Sequence, residues 1–247
     1  YSTHPNPCVG CVMVRQGQIV GEGYHVKAGA GHAEANALAQ AGDRSKGSTV
    51  YVTLEPCSFH GRTPSCAEAL IKAGVSRVVA AREDPDSRNA GKGFAKLRDA
   101  GIVVDLLPSE SADQLVRGHL KRYCEHKPFI RLKLAMTLDG KTALRNGNSK
   151  WITSDEARAD VQKLRAESSA IVTGVQTVID DDPRLQVREV LPEIKHRAEA
   201  LSVERPVYIL DSNLRAPESA QLLTRDSVLQ VCVEGVASKV NQARYLE

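Results

Sequence analysis

The sequence predicts a two-domain α/β protein, and three observations carry that reading. Short β-rich runs alternate with helical runs, the pattern of helices laid over a sheet. Helical runs in the first half end on glycines, which close a helix at little conformational cost. Lys127-Pro128-Phe129 then breaks the pattern before a second alternating stretch. The expected units are residues 1–125 and 126–247, with the boundary near 122–128 and enough length for a core in each.

The first unit reads element by element. "CVGCVMV" (8–14) and "TVYVTL" (49–54) are β-rich and predict strands. Between them "HAEANALAQAG" predicts a helix closing at Gly42. "SCAEALIKAG" (65–74) repeats that plan and closes at Gly74. "VSRVVAA" (75–81) predicts a strand, 91–101 a helix closing at Gly101, and "IVVDLL" (102–107) a strand. A helix follows, with Ser111 and Gln114 in capping-box register and Leu115, His119, Leu120 and Tyr123 at helical spacing.

In the second unit "FIRLKLAMT" (129–137) predicts a strand and "LDGK" a turn. Thr153 and Glu156 stand in capping-box register for the next helix. Residues 169–175, 207–211 and 228–233 predict strands, and "TGVQT" (173–177) a strand-to-loop turn. The charged, Pro-containing stretch 188–206 predicts a long loop. The chain stops in what reads as the middle of this unit, and "YSTHPNP" reads as a loop with residues upstream, so the second unit is expected to be incomplete.

Bulk properties exclude some classes of function. Hydrophobic content of 42% and charged content of 26% suit a globular protein. No run approaches the ~18 apolar residues of a membrane helix, and no secretion signal is visible, so a cytoplasmic setting without membrane contact is expected. A net charge of +3, without a block of like charges, argues against nucleic acid and suits a small anionic ligand. Six cysteines in a chain this long, without a secretory signal, predict reduced thiols and not a disulfide framework.

The chemistry-bearing pattern begins at "GHAEANAL" (31–38). His32 opens a helix after a loop, and Glu34 follows two residues later. At mid-helix two such residues diverge by about 200°, but at a first turn with a non-helical His32 both reach one pocket. Pro56-Cys57 follows a strand, and Cys66 lies at the start of the next helix. His32, Cys57 and Cys66 therefore suit Zn2+, with a fourth tetrahedral position left for water. Helix N-termini favour the thiolate forms. Glu34 is placed to carry protons between that water and a leaving amine, the H-x-E…P-C pattern of zinc nucleobase deaminases. Cys8 and Cys11, i and i+3 in a strand, face opposite sides and read as core residues. Cys124 and Cys232 show no partner in the sequence.

"HPNPCVGCVMV", "GEGYH", "GHAEANAL", "VYVTLEPCSFHGRTPSC" and "LKLAMTLDGKTA…SKWITS" together resemble the bacterial bifunctional riboflavin-biosynthesis deaminase-reductases. The long gap between Cys57 and Cys66, carrying Gly61-Arg62-Thr63-Pro64, is similar to theirs. The resemblance implies a cytidine-deaminase-like first domain and a dihydrofolate-reductase-like second. It implies hydrolytic deamination of a diaminopyrimidinone carrying a phosphoribosylamino group, then NADPH reduction of the ribose chain to ribitol. By position, His32, Cys57 and Cys66 are similar to the zinc ligands and Glu34 to the proton shuttle. Asn6 matches a residue that holds the pyrimidine, and His25 and Arg62 match positions near the substrate phosphate. Arginine suits phosphate through its fork of donors.

In the second unit there is no G-x-G-x-x-G, so a Rossmann dinucleotide site is not supported. The resemblance implies that Ala135, Trp151, Thr177, Asp181 and Ser212 line NADPH, and that Ser149, Arg165, Leu185 and Arg188 meet substrate. Lys133 is a candidate for polarising the sugar carbonyl. The chain departs from the family at Asp84-Pro85-Asp86-Ser87, where the family has an Asn near the substrate, and "VEGVAS" (233–238) does not match the family's Gly-rich closing segment. A reductase made of these residues alone is expected to be inactive. The alternatives are a deaminase with a non-catalytic second domain, or a structural zinc module that binds nucleotides. Glu34 speaks against the module, because a closed structural site uses four protein ligands. RNA editing is disfavoured by the charge and by the cysteine spacing. The expected partner is a small phosphorylated pyrimidine, and a homo-oligomer stays open.

Overall fold

The computed structural model describes residues 2–188 and 197–232, which fall into two compact units, 2–132 and 133 onward. In the first unit β1 (Gly10–Arg15) and β2 (Gln18–Tyr24) form an antiparallel hairpin. Gln16 (φ 51°) and Gly17 (φ 74°) make its two-residue turn, left-handed at both positions as such hairpins require. The pattern predicted no element at 18–24, because glycines at 21 and 23 lower β propensity.

Those glycines have a packing reason. Helix α1 (Ala33–Ala41) lies directly on β2, with Ala33, Ala37 and Ala41 buried at i, i+4 and i+8. A Cβ at position 21 would stand 2.3 Å from the Ala37 carbonyl oxygen, and one at 23 would stand 2.2 Å from that of Ala33. Only glycine admits a helix this close.

The strands β3 (Thr49–Val52), β4 (Arg77–Ala80) and β5 (Val103–Leu106) run parallel, and the sheet order is β2-β1-β3-β4-β5. Helices α2 (Cys66–Ala73) and α3 (Lys92–Asp99) connect them. Ser65 caps α2 by accepting from the Glu68 amide, and Gly74 closes it in the left-handed region. Met13, Val50, Val78, Leu70, Phe94 and Leu97 form the core with the α1 alanines, and Cys11 joins them. The next helical run is split at Val116 into α4 (Glu110–Leu115) and α5 (Arg117–Glu125). Ser109, not Ser111, caps α4, its hydroxyl accepting from the Ala112 amide. The helix starts early enough to leave Ser111 inside the first turn.

In the second unit β6 (Ile171–Gly174), β7 (Val207–Leu210) and β8 (Val228–Val231) form a parallel sheet in that order. Its core is built from Val175, Val178, Val207, Ile209 and Leu222. Helix α6 (Asp155–Ala166) precedes the sheet and is capped by Ser154, one residue after the expected Thr153. Residues 173–177 do not form a loop: α7 (Val175–Asp181) starts directly after β6. The expected loop at 188–206 contains α8 (Arg197–Ser202). Residues 129–137 have no regular secondary structure and pair with no strand among the described residues, so the expected strand is not found there. Ile130, Leu132, Leu134 and Met136 are correspondingly exposed. "VEGVAS" lies outside the described residues. Among those residues no helix is long and apolar enough to cross a membrane.

Candidate functional site

Three chain segments of the first unit converge on one point: the start of α1, the loop after β3, and the start of α2. His32 is the N-cap of α1, with an extended backbone (φ −72°, ψ 169°) that turns its ring off the helix face. Its Nδ1 stands 3.7 Å from Cys57 Sγ and 3.3 Å from Cys66 Sγ. The donor atoms of His32, Cys57 and Cys66 all lie within 4.8 Å of one another. A tetrahedral Zn2+, at about 2.3 Å from sulfur and about 2.0 Å from nitrogen, asks for donor separations of about 3.5 Å. The residues therefore fit such an ion. His32 Nε2 meets Thr63 Oγ1 at 3.1 Å, a hydrogen bond that orients the ring with Nδ1 towards the thiols.

The local electrostatics follow from two thiols sharing one place. The Cys66 thiol hydrogen-bonds Cys57 and draws it down to about 4, helped by His32 and by the Cys66 amide 3.3 Å away. The same bond, with burial, pushes Cys66 far up. The Cys57 hydrogen bond raises His32. Glu34, in the first turn of α1, is 3% exposed, and burial pushes its carboxyl up to about 7. It also interacts with the Cys66 thiol, so it stands against the cluster.

Asn6 and His25 are brought to the same place. His25 Nδ1 faces the Gly31 carbonyl at 3.0 Å; a carbonyl only accepts, so Nδ1 carries the proton. Nε2 then accepts from the Asn6 amide at 3.0 Å. Burial keeps His25 below the usual histidine range, so it is a neutral hydrogen-bonding group. Its ring packs edge-on to that of His32, centroids 5.2 Å apart. Arg62 is exposed on the loop that carries Thr63.

Sequence reasoning missed the residues that hold this site from behind. Glu55, 4% exposed, accepts the amides of Asp84 (3.0 Å), Gly91 (2.9 Å) and Phe94 (3.1 Å). It ties the start of α3 to the Cys57 loop. Its signal was a carboxylate directly after a strand, next to Pro56-Cys57. In the divergent 84–87 stretch both carboxylates are engaged within this unit. Asp84 bonds His119 at 2.9 Å, and the Arg88 guanidinium holds buried Asp86 down at about 2.

In the second unit Arg165 and Arg188 are gathered by Gln162. Its Oε1 accepts from the Arg188 amide at 3.1 Å and from Arg165 Nη1 at 3.5 Å. Arg165 Nη1 also donates to the Gln186 carbonyl at 2.9 Å. Burial and the Arg188 charge lower Arg165 below the usual guanidinium range. Leu185 packs against the second core. Thr177, in α7, and Ser212, just after β7, follow the carboxyl ends of adjacent parallel strands, the usual ligand side of such sheets. Asp181 closes α7 at its opposite end. Trp151 is 72% exposed and carries the Arg158 guanidinium 4.4 Å above its ring. Ser149 precedes it, and Lys133 and Ala135 lie in the irregular 129–137 segment.

Comparison with known proteins agrees with this layout. A model of the cytidine and deoxycytidylate deaminase zinc-binding region matches residues 1–82, and one of the RibD C-terminal domain matches 128–244. The riboflavin biosynthesis protein RibD of Haemophilus influenzae is 52% identical over 240 residues, covering 95% of this chain and 64% of that protein. That of Escherichia coli is 53% identical over 222 residues, covering 87% and 60%. The structure of Acinetobacter baumannii RibD superposes with a TM-score of 0.86 at 48% identity, covering 94% of this chain and 65% of that one. A Thermotoga maritima diaminohydroxyphosphoribosylaminopyrimidine deaminase/5-amino-6-(5-phosphoribosylamino)uracil reductase gives 0.80 at 34% identity, covering 94% and 64%. The chain thus spans less than two thirds of the length of these relatives.

Proposed function

Since the chain belongs to the RibD family, we propose that its first unit is a zinc-dependent pyrimidine deaminase and its second an NADPH-dependent reductase of the riboflavin pathway. The fold class is the expected one: a cytidine-deaminase-like α/β unit followed by a dihydrofolate-reductase-like α/β unit. The observation that carries the reading is the convergence of His32 Nδ1 and the two cysteine Sγ atoms beside buried Glu34.

His32, Cys57 and Cys66 would hold the zinc. Zinc supplies Lewis acidity, which makes water nucleophilic near neutral pH. Glu34 would take the two protons of the water in turn, delivering one to the ring nitrogen as the water oxygen adds to the ring carbon and the other to the leaving amine. The carbon–nitrogen bond breaks, ammonia leaves, and the ring keeps a carbonyl. Asn6, fixed through His25, offers amide groups to the pyrimidine edge. Burial of Glu34 keeps its proton from exchanging freely with solvent. Arg62 would serve the phosphate end of the substrate; His25, the other residue expected there, has both ring nitrogens engaged and would act through Asn6.

In the second unit NADPH would supply hydride to the opened ribose, held near Thr177 and Ser212, with Ala135, Trp151 and Asp181 as further candidates. Arg165 and Arg188, paired through Gln162, would meet the substrate phosphate beside Leu185 and Ser149. A second reading, a deaminase whose second unit does not reduce, is favoured by the 129–137 segment, which carries Ala135 and Lys133 and joins no sheet among the described residues.

The test is a paired assay on the diaminopyrimidinone substrate. The full chain is expected to release ammonia, to lose that activity with a chelator, and to regain it with Zn2+ but not Mg2+. Activity that survives complete metal removal would contradict the reading. Ammonia release without NADPH oxidation would select the second reading.

A further inference from the structure

We propose that Asn89 is a positioning residue for the metal centre, its side-chain amide gripping the main chain on both sides of Cys57. The inference rests on the zinc reading above. Asn89 lies outside the ligand set, in the loop between β4 and α3, and is fully buried. Its Oδ1 accepts from the Ser58 amide at 2.9 Å, and its Nδ2 donates to the Pro56 carbonyl at 3.4 Å. Nδ2 also reaches Asp84 Oδ2 at 3.4 Å.

These bonds complete a frame around one ligand. The carbonyl of Cys57 itself accepts from Ser65 Oγ at 2.9 Å and from the Ala67 amide at 3.1 Å, both at the start of α2. The Pro56 and Cys57 carbonyls and the Ser58 amide are therefore held, which limits the freedom of Sγ largely to rotation about its own Cα–Cβ bond. The frame has a firm back. A Cβ at Gly93 would stand 2.0 Å from the Pro56 carbonyl oxygen, so the first turn of α3 is pressed onto the same peptide. Asn89 is anchored in turn, its amide donating to the Asp86 carbonyl at 2.8 Å and its carbonyl accepting from the Lys92 amide at 2.8 Å. An amide side chain suits this position because it offers one acceptor and one donor a fixed distance apart. Leucine has a similar size and offers neither, leaving the Ser58 amide without its partner in a buried place.

The chain and its Asn89→Leu and Asn89→Ala variants test this by chelator competition for zinc and by melting with and without the metal. Partners that orient a ligand typically contribute about 10- to 100-fold to metal affinity. Both variants are expected to bind zinc about 10- to 100-fold more weakly, and the rise in melting temperature on zinc addition should shrink. A purely structural role would lower the melting temperature of the metal-free protein and leave zinc affinity unchanged; that result overturns the proposal and spares the zinc reading. A wild-type chain that takes up no zinc overturns both. Should neither variant fold, amide exchange on the wild-type, metal-free protein decides: a protected Ser58 amide supports the frame, and exchange at the rate of an open loop refutes it.

Discussion

Replacing Glu34 by Gln is expected to leave one zinc per chain and to lower ammonia release by about 10²- to 10⁴-fold, the usual contribution of a general acid–base group. Glutamine keeps the size of the side chain and its capacity to accept a hydrogen bond. It loses the ability to take up a proton and return it. Glu34 is buried in the first turn of α1, two residues from His32 and in contact with the Cys66 thiol, so no solvent group stands ready to replace it. Glu34 is not among the three converging donors, so its replacement leaves the ligand set His32, Cys57 and Cys66 complete. Metal analysis beside an ammonia assay reads both effects. Turnover within a few-fold of wild type would remove Glu34 from the mechanism.

The second large effect is expected at a residue that touches no substrate. Gly23→Ala places a methyl group 2.2 Å from the Ala33 carbonyl and 2.4 Å from the Ala37 amide. These are main-chain atoms of α1, so relief requires moving the helix. Overpacking of this kind costs about 1–3 kcal/mol and occasionally more. His32 caps the displaced end of α1, so zinc affinity and deamination should fall together with the melting temperature. Gly10→Ala is the matched control in the neighbouring strand: there the nearest atom, Thr53 Cγ2, is 3.9 Å away and the change should be mild. Equal melting temperatures and equal zinc affinities for the Gly23 and Gly10 variants would show that α1 is not pinned as described.

The candidate metal centre was legible because its signals are local. His32 before a helix, Pro56-Cys57 after a strand and Cys66 at the next helix start place donors by short-range rules, and the fold brings those three ends together. The residues behind it were not legible. Asn89 in a polar loop has the signature of a solvated side chain, and only tertiary packing buries it. The strand β2 was hidden for a related reason. Its glycines weaken local strand propensity, while their purpose is the approach of α1, a contact that no window of sequence contains.

The stretch around the unit boundary shows the opposite error. Ile130, Leu132, Leu134 and Met136 alternate as a strand should, yet a strand exists only where a neighbouring strand pairs with it, and no described strand does so. Helix starts were displaced by one or two residues, at Ser109 and Ser154, because closely spaced hydroxyl residues offer several caps of similar quality.

X-ray absorption at the zinc edge of the zinc-loaded chain tests the central claim most directly. A first shell of two sulfurs, one imidazole nitrogen and one lighter atom is expected, with one sulfur lost in Cys66→Ser. A shell of four protein donors, or a wild-type chain that retains no zinc at one equivalent, would contradict the account.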